Sequence, residues 1–306
     1  MTVGSILGGG FRLLKERPGV VAAWALVYFA LTVASALATR FLLAPMGGAA
    51  AGAGGVVRVV PARSASVLGA NFGWFMLMEL AVLVVAVVLM AAVQRAVLHP
   101  ERRGFAYMRL GMDELRLFAL ALILIVLFYA GFLVLGIVLA LVVGLVTATL
   151  GVGAMPPVII IGGLAVLAFA LIFEVRLALA FPLTLLRGKI IIGEAWRVTR
   201  GHFWKLFAAF LVLGLLIIAL WVIAAAATNG GYLSELMRGG FNPVAMQRAA
   251  NRQLAEQLGA PSGMTMLGWV LAAAAGTLSL TLFGGAIATA ASELTGNPND
   301  VAETFA

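Results

Sequence analysis

The residues of this sequence whose type and placement could do chemistry are ionisable side chains set inside long apolar runs. Glu79 sits in FMLMELAVLVV, and Glu174 and Arg176 sit in LIFEVRLALAF. A carboxylate held among aliphatic side chains could relay a proton or cation, or grip a polar part of a substrate, and intramembrane charge is a functional pointer for that reason. The competing reading is structural: Glu79 faces the helix bundle, neutralised or hydrogen-bonded, and this is the reading adopted here. Glu174 and Arg176 stand two residues apart, so on a helix they do not face each other and each needs another partner. Arg95 precedes Pro100 much as Arg176 precedes Pro182. That equivalence suggests an arginine that reaches to the membrane interface, or that ties a span to the amphipathic segment after it. His99 and His202 have no second ligand at metal spacing, and an acid/base pair for a lipid-modifying enzyme would need something like Glu174 with His202. There is no cysteine, no H-E-x-x-H, no phosphate-binding glycine loop and no G-x-S-x-G. No catalytic residue, metal or cofactor is therefore expected.

The elements that must position these groups follow from composition. Of 306 residues, 63% are hydrophobic and 10% charged, against roughly 25% charged in a soluble domain. This excludes a water-soluble globule, and disorder, which needs few apolar residues. The net charge of +8 would suggest nucleic acid in a soluble protein. Here the basic residues cluster beside apolar runs, which is the pattern of membrane topology and anionic headgroups, so no nucleic-acid partner is expected. A membrane span needs about 20 apolar residues. Six stretches qualify, at 20–44, 72–98, 117–145, 157–186, 206–228 and 264–291. The expectation is an all-α polytopic fold of one membrane domain, with 147–156 as the tight loop of a hairpin. A cleaved signal peptide fits badly, because the first apolar stretch is too long and its basic cluster lies in a patterned segment. Gly131, Gly136 and Gly144 in the third span, and Gly276, Gly284 and Gly285 in the sixth, are expected to allow close helix packing. Between spans five and six, Asn242, Pro243 and Gly259 are spaced as the cap, first residue and stop of a short helix. Residues 47–55 read as flexible linker.

The N-terminal segment and the loops after spans two and four carry about twice as many Lys and Arg residues as the opposite side, so both termini are expected in the cytoplasm, in the inner membrane of a bacterium. Three of these segments share a pattern: Phe11-Arg12-Leu13, Met108-Arg109-Leu110 and Trp196-Arg197-Val198, each followed by two spans. Helical spacing puts Ser5, Gly9, Arg12 and Glu16 on one stripe with Val3, Leu7 and Phe11 or Leu14 opposite. It puts Arg102, Ala106, Arg109, Asp113 and Arg116 on another, where Asp113 can pair with Arg109 or Arg116. Glu194, Arg197, Arg200 and Lys205 form the third. The expected unit is an interfacial amphipathic helix plus a transmembrane hairpin, used three times in parallel, over 1–98, 99–186 and 187–306.

The stretch Arg176-Leu177-Ala178-Leu179-Ala180-Phe181-Pro182, followed by Gly193-Glu194-Ala195-Trp196-Arg197-Val198-Thr199-Arg200-Gly201-His202-Phe203-Trp204, resembles the membrane domain attached to some glycerophosphoryl diester phosphodiesterases, and equally the stand-alone YciC-like bacterial membrane proteins. FRLLKERPGVVAAWALVY and FAYMRLGMDELRL are similar to proteobacterial relatives of that group. The resemblance implies a multi-pass membrane domain; the phosphodiesterase barrel is absent, so no diesterase activity and no site residue is carried over. The expected role is a non-enzymatic membrane protein that organises lipids or partner proteins, with Arg12, Arg109, Arg197 and Arg200 binding anionic headgroups. Its partners are membrane lipids and another membrane protein or a second copy. The alternatives are a transporter of a small or lipidic substrate, using Glu79, Glu174 and Arg176, and a lipid-modifying enzyme.

Overall fold

The computed structural model describes residues 2–47, 61–101, 104–228 and 261–296, with 237–239, 242, 244 and 246–247; for 42–47 and 61–68 it describes the backbone alone. The helices are α1 (Val3–Glu16), α2 (Pro18–Gly47), α3 (Pro61–Leu98), α4 (Met112–Leu150), α5 (Met155–Leu177), α6 (Ala180–Arg187), α7 (Gly193–Thr199), α8 (Phe203–Thr228) and α9 (Gly263–Thr295). Among the described residues there is no strand, and six helical stretches are long and apolar enough to cross a membrane. The fold is all-α and polytopic. Five of the expected spans lie inside one of those stretches, and the first, 20–44, overlaps Pro18–Phe41 and runs three residues past it. The linker at 48–55, the arginines at 102 and 103 and most of the helix expected over 242–259 lie outside the described residues; at its start, Met246 N donates to the Asn242 carbonyl at 3.0 Å, one helical bond.

Local sequence sets the boundaries. Thr2 and Ser5 cap α1 reciprocally: Ser5 N donates to Thr2 Oγ1 and Thr2 N to Ser5 Oγ, both at 3.1 Å. Pro18 disfavours helical backbone at Arg17 and is itself suited to a first helical position, so α1 stops and α2 begins across a single residue. Ser262 and Thr265 repeat the reciprocal cap at the start of α9. Pro182 has no N–H to offer the Ala178 carbonyl, and the fourth span accordingly breaks at Ala178–Leu179 into α5 and α6. Gly188, at φ 64°, closes α6 in the left-handed conformation that glycine adopts freely.

The chain forms two compact units. The first comprises Met1–Leu13, Val87–Val212 and Leu282–Ala306. Its core joins Leu89 and Val93 of α3, Leu117 and Leu120 of α4, Leu179 and Leu183 beside and within α6, Leu206 of α8 and Ile287 of α9, all buried. Glycines bring the helices together. A Cβ on Gly10 would lie 2.6 Å from Leu282 Cα, one on Gly285 2.7 Å from Gly10 Cα, and one on Gly284 2.8 Å from Val93. Gly9 is pressed against Thr289. Between apolar surfaces in lipid, such close approach is what gains dispersion contacts. The α4–α5 hairpin closes through Gly131 against Phe169, Gly162 against Leu139, and Phe128 against Phe169 and Phe173. Gly136 and Gly144 have nothing within 4 Å, so the packing role expected for them is corrected: they lie on the open face of α4.

The second unit comprises Leu14–Ala86 and Leu213–Thr281. Trp24 and Leu213 are buried in it, Gly276 of α9 meets the Tyr28 ring of α2, and Gly268 of α9 meets Thr228 of α8. Along α9 the buried hydroxyls of Thr277 and Thr281 donate to the carbonyls four residues back, at 2.8 Å each, which satisfies them without a partner helix.

Of the three amphipathic segments, the first is the helix α1, the middle one is not helical, and the third is split: Glu194 and Arg197 lie on α7, the chain turns at 200–202 and Lys205 lies on α8, so the single stripe expected there is corrected as well. Over 104–111 the chain makes a single 3-10 turn, with Ala106 at φ 49° and Tyr107 at φ 60°, then extended backbone at Gly111. The helical face expected for Ala106, Arg109, Asp113 and Arg116 therefore does not exist as a unit. The helix begins at Met112, where Asp113 and Glu114 occupy the first turn and Glu114 Oε2 accepts from Gly111 N at 3.0 Å. That is the half of a capping box that a glycine cap permits, reinforced by acidic charge at a helix start. Asp113 does pair with Arg116, at 3.2 Å. In α1 the expected polar stripe is also corrected. The buried face is Ile6, Gly9, Gly10 and Leu13, while Phe11 is exposed. α1 is thus docked on α9 through glycines, and Ser5 Oγ adds a bond to Glu293 at 3.1 Å.

Candidate functional site

Within the first unit, polar contacts join α1 to the C-terminal end of α9, the C-terminal end of α3 to the N-terminal end of α4, and the C-terminal end of α5 to α7, with a cation–π contact to the start of α8. Two arginines organise these contacts. Arg95, on the last turn of α3, is 4% exposed. Its Nη2 meets Glu114 Oε1 at 2.5 Å and its Nη1 donates to the Tyr107 carbonyl at 2.7 Å. The Tyr107 hydroxyl donates to the Pro100 carbonyl at 3.1 Å. This network explains the left-handed backbone of Ala106 and Tyr107. Turning that carbonyl toward a buried guanidinium satisfies a charge that would otherwise be stranded, and this outweighs a strain of about 1–3 kcal/mol at such positions. Beside it Gln94 is fully buried, with neither amide atom hydrogen-bonded.

Arg176 is built differently. Its guanidinium carbon lies 5.2 Å from the Trp196 ring centre and 5.5 Å from that of Phe203, within cation–π range of both. Nη1 makes a long contact, 3.4 Å, to the Trp196 carbonyl. Nε is enclosed without a partner. No carboxylate pairs with Arg176 among the described residues. The platform beneath it is the α6–α7 turn: Ile191 N donates to Thr184 Oγ1 at 3.3 Å, Arg187 pairs with Glu194 at 3.1 Å, and Thr199 Oγ1 donates to the Ala195 carbonyl at 2.9 Å. The turn into α8 is set by His202 N donating to the Thr199 carbonyl at 3.1 Å, and His202 Nδ1 is buried without a partner. The two arginines whose equivalence the sequence suggests do tie each span to the segment that follows it.

The remaining candidates are placed as follows. Arg12, Arg109, Arg197 and Arg200 are all exposed; Arg197 Nε reaches only the Gly193 carbonyl of its own helix, at 3.4 Å. Glu79 is exposed on α3, on a stretch where Trp74, Met76, Leu77 and Leu80 are exposed too. The bundle-facing glutamate of the sequence reading is corrected to one that looks outward. Glu174 is likewise exposed and makes no contact with His202 that would form an acid/base pair. Neither glutamate has a hydrogen-bond or ion-pair partner among the described residues. His99 lies beside Glu101, Nδ1 to Oε1 3.5 Å. Sequence reasoning missed Glu114 as the counter-ion of Arg95; the signal was present as paired acidic residues after Gly111, immediately before an apolar run.

No protein-family model, curated protein or solved structure matches the chain.

Proposed function

We propose that this multi-pass membrane protein is a non-enzymatic organiser of anionic lipid, and of partner proteins drawn to that lipid, at the inner membrane of a bacterium, with both termini in the cytoplasm. The observation that carries the reading is a division among the arginines of one end of the fold. Arg95, Arg116 and Arg187 are each bound to a carboxylate, while Arg12, Arg109, Arg197 and Arg200 are exposed and pair with none among the described residues. Around the free ones stand exposed apolar side chains, Phe11, Phe105, Leu110 and Trp204. Unpaired guanidinium groups among aromatic and aliphatic side chains suit the boundary between headgroups and acyl chains. The kinship with YciC-like membrane proteins belongs to the same proposal; its motif residues Arg176, Trp196 and Phe203 meet one another at this end.

The test is the triple variant Arg12→Glu, Arg109→Glu, Arg197→Glu, extracted with its surrounding lipid. Each basic residue near an anionic surface contributes about 1 kcal/mol of attraction, so the excess of phosphatidylglycerol over phosphatidylethanolamine around the protein is expected to fall severalfold. It should also fall with salt in the wild type. An unchanged lipid ratio overturns the proposal.

A further inference from the structure

Arg176 differs from every other arginine described at this end. It is half-buried at the end of a span, pairs with no carboxylate among the described residues, and lies within cation–π range of Trp196 and Phe203. Aromatic rings offer no strong hydrogen-bond acceptor, so the N–H groups of the guanidinium need partners elsewhere. Nη1 is held weakly, at 3.4 Å, and Nη2 has no protein partner among the described residues and is not enclosed. Nearby charge makes the requirement sharper. Glu194 is committed to Arg187, Glu174 stands two residues away on another side of the helix, and Arg197, Arg200 and Lys205 are exposed around the same turn. A guanidinium at the edge of hydrocarbon with Nη2 open, Nη1 only weakly held and an excess of neighbouring positive charge calls for an anion.

Depth identifies the anion. Trp204 is 76% exposed and Trp196 43%, and exposed tryptophans at the end of a span mark the headgroup level. The anion present at that level in every bilayer is the phosphate of a phospholipid, whose two free oxygens match the guanidinium fork. We infer that Arg176, held beside the Trp196 and Phe203 rings, binds the phosphate of one phospholipid, and that Arg197, Arg200 and Lys205 bias the choice toward an anionic headgroup. The inference rests on the lipid-organising reading and gives it one discrete site. The exposed arginines attract lipid diffusely and are screened by salt, whereas a partly buried contact is screened much less.

The probe is phosphatidylglycerol in mixed nanodiscs with phosphatidylcholine, and the readout is native mass spectrometry of the full chain. One phosphatidylglycerol per chain is expected to survive a wash at roughly 0.5 M salt that strips the others. Arg176→Gln should lower its occupancy at least about tenfold, the factor matching the 1.5–3 kcal/mol of a charged hydrogen bond. Arg176→Lys, which keeps charge and loses the fork, should fall between. Should Arg176→Gln not fold, 31P–15N dephasing in wild-type protein labelled at arginine replaces it: a guanidinium close to lipid phosphorus after the wash supports the site, and none overturns it. Unchanged occupancy in Arg176→Gln overturns the inference. Displacement of the lipid by excess inorganic phosphate overturns the lipid as source while assigning the site to free phosphate. In the double variant Arg12→Glu, Arg109→Glu, which leaves Arg197 in place beside Arg176, loss of the diffuse lipid with retention of the single one supports this site. An unchanged diffuse population overturns the broader reading alone.

Discussion

Arg95 and Arg176 occupy corresponding places, one at the end of α3 and one at the end of α5, and each is tied to the segment that follows. Arg95 has a buried carboxylate and a backbone carbonyl at 2.5 and 2.7 Å. Arg176 has two aromatic rings and one long contact. In the first case the chain distorts its own backbone to complete the coordination of the charge; in the second it holds the charge and leaves its donor edge open. Equivalent position in a pattern therefore does not mean equivalent work. What decides the role of a membrane-edge arginine is whether the following segment supplies an acid, as Gly111-Met112-Asp113-Glu114 does, or aromatics, as Trp196 and Phe203 do.

The comparison can be broken most sharply at Glu114. Glu114→Ala leaves Arg95 buried without its counter-ion and should destabilise the fold by about 3–5 kcal/mol, read as a large fall in unfolding midpoint in detergent. Adding Arg95→Met to it should recover much of that loss. A smaller effect is expected at the glycine crossing. Gly10→Ala puts a methyl 2.6 Å from Leu282 backbone and should cost about 1–3 kcal/mol by forcing α1 and α9 apart. Arg176→Gln removes two cation–π contacts and one weak bond, so its stability loss should be about 1–2 kcal/mol, well below that of Glu114→Ala. Gly136→Ala, with open space around it, should change stability by no more than about 0.5 kcal/mol. The same glycine-to-alanine change at Gly10 and Gly136 thus separates glycines that pack from glycines that do not.

The spans were readable from the sequence because length and apolarity are what a bilayer demands of a helix, and the partner of Asp113 was narrowed by helical spacing to Arg109 or Arg116, of which the fold uses Arg116. The tie made by Arg176 could also be anticipated, from its place before Pro182. Burial inside the membrane could not. A lipid-facing and a bundle-facing surface are both apolar, so nothing in FMLMELAVLVV tells which way Glu79 points, and nothing in the third span distinguishes Gly131, against Phe169, from Gly136, against nothing. The stripe on α1 was misjudged because Gly9 was grouped with polar residues, whereas in lipid a glycine is a place for another helix to touch. The helix expected around Arg109 failed for a tertiary reason: Arg95, distant in sequence, claims the Tyr107 carbonyl.

The most direct test compares Arg95→Gln and Arg176→Gln side by side by native mass spectrometry of heated, salt-washed samples, which reads folded fraction and retained lipid together. The predicted result is a crossover: Arg95→Gln unfolds early, with its folded fraction still carrying one phospholipid, and Arg176→Gln stays folded without it. If both variants lose stability to the same degree, or if the retained lipid ignores Arg176, the division between a clamping and a ligand-holding arginine is contradicted.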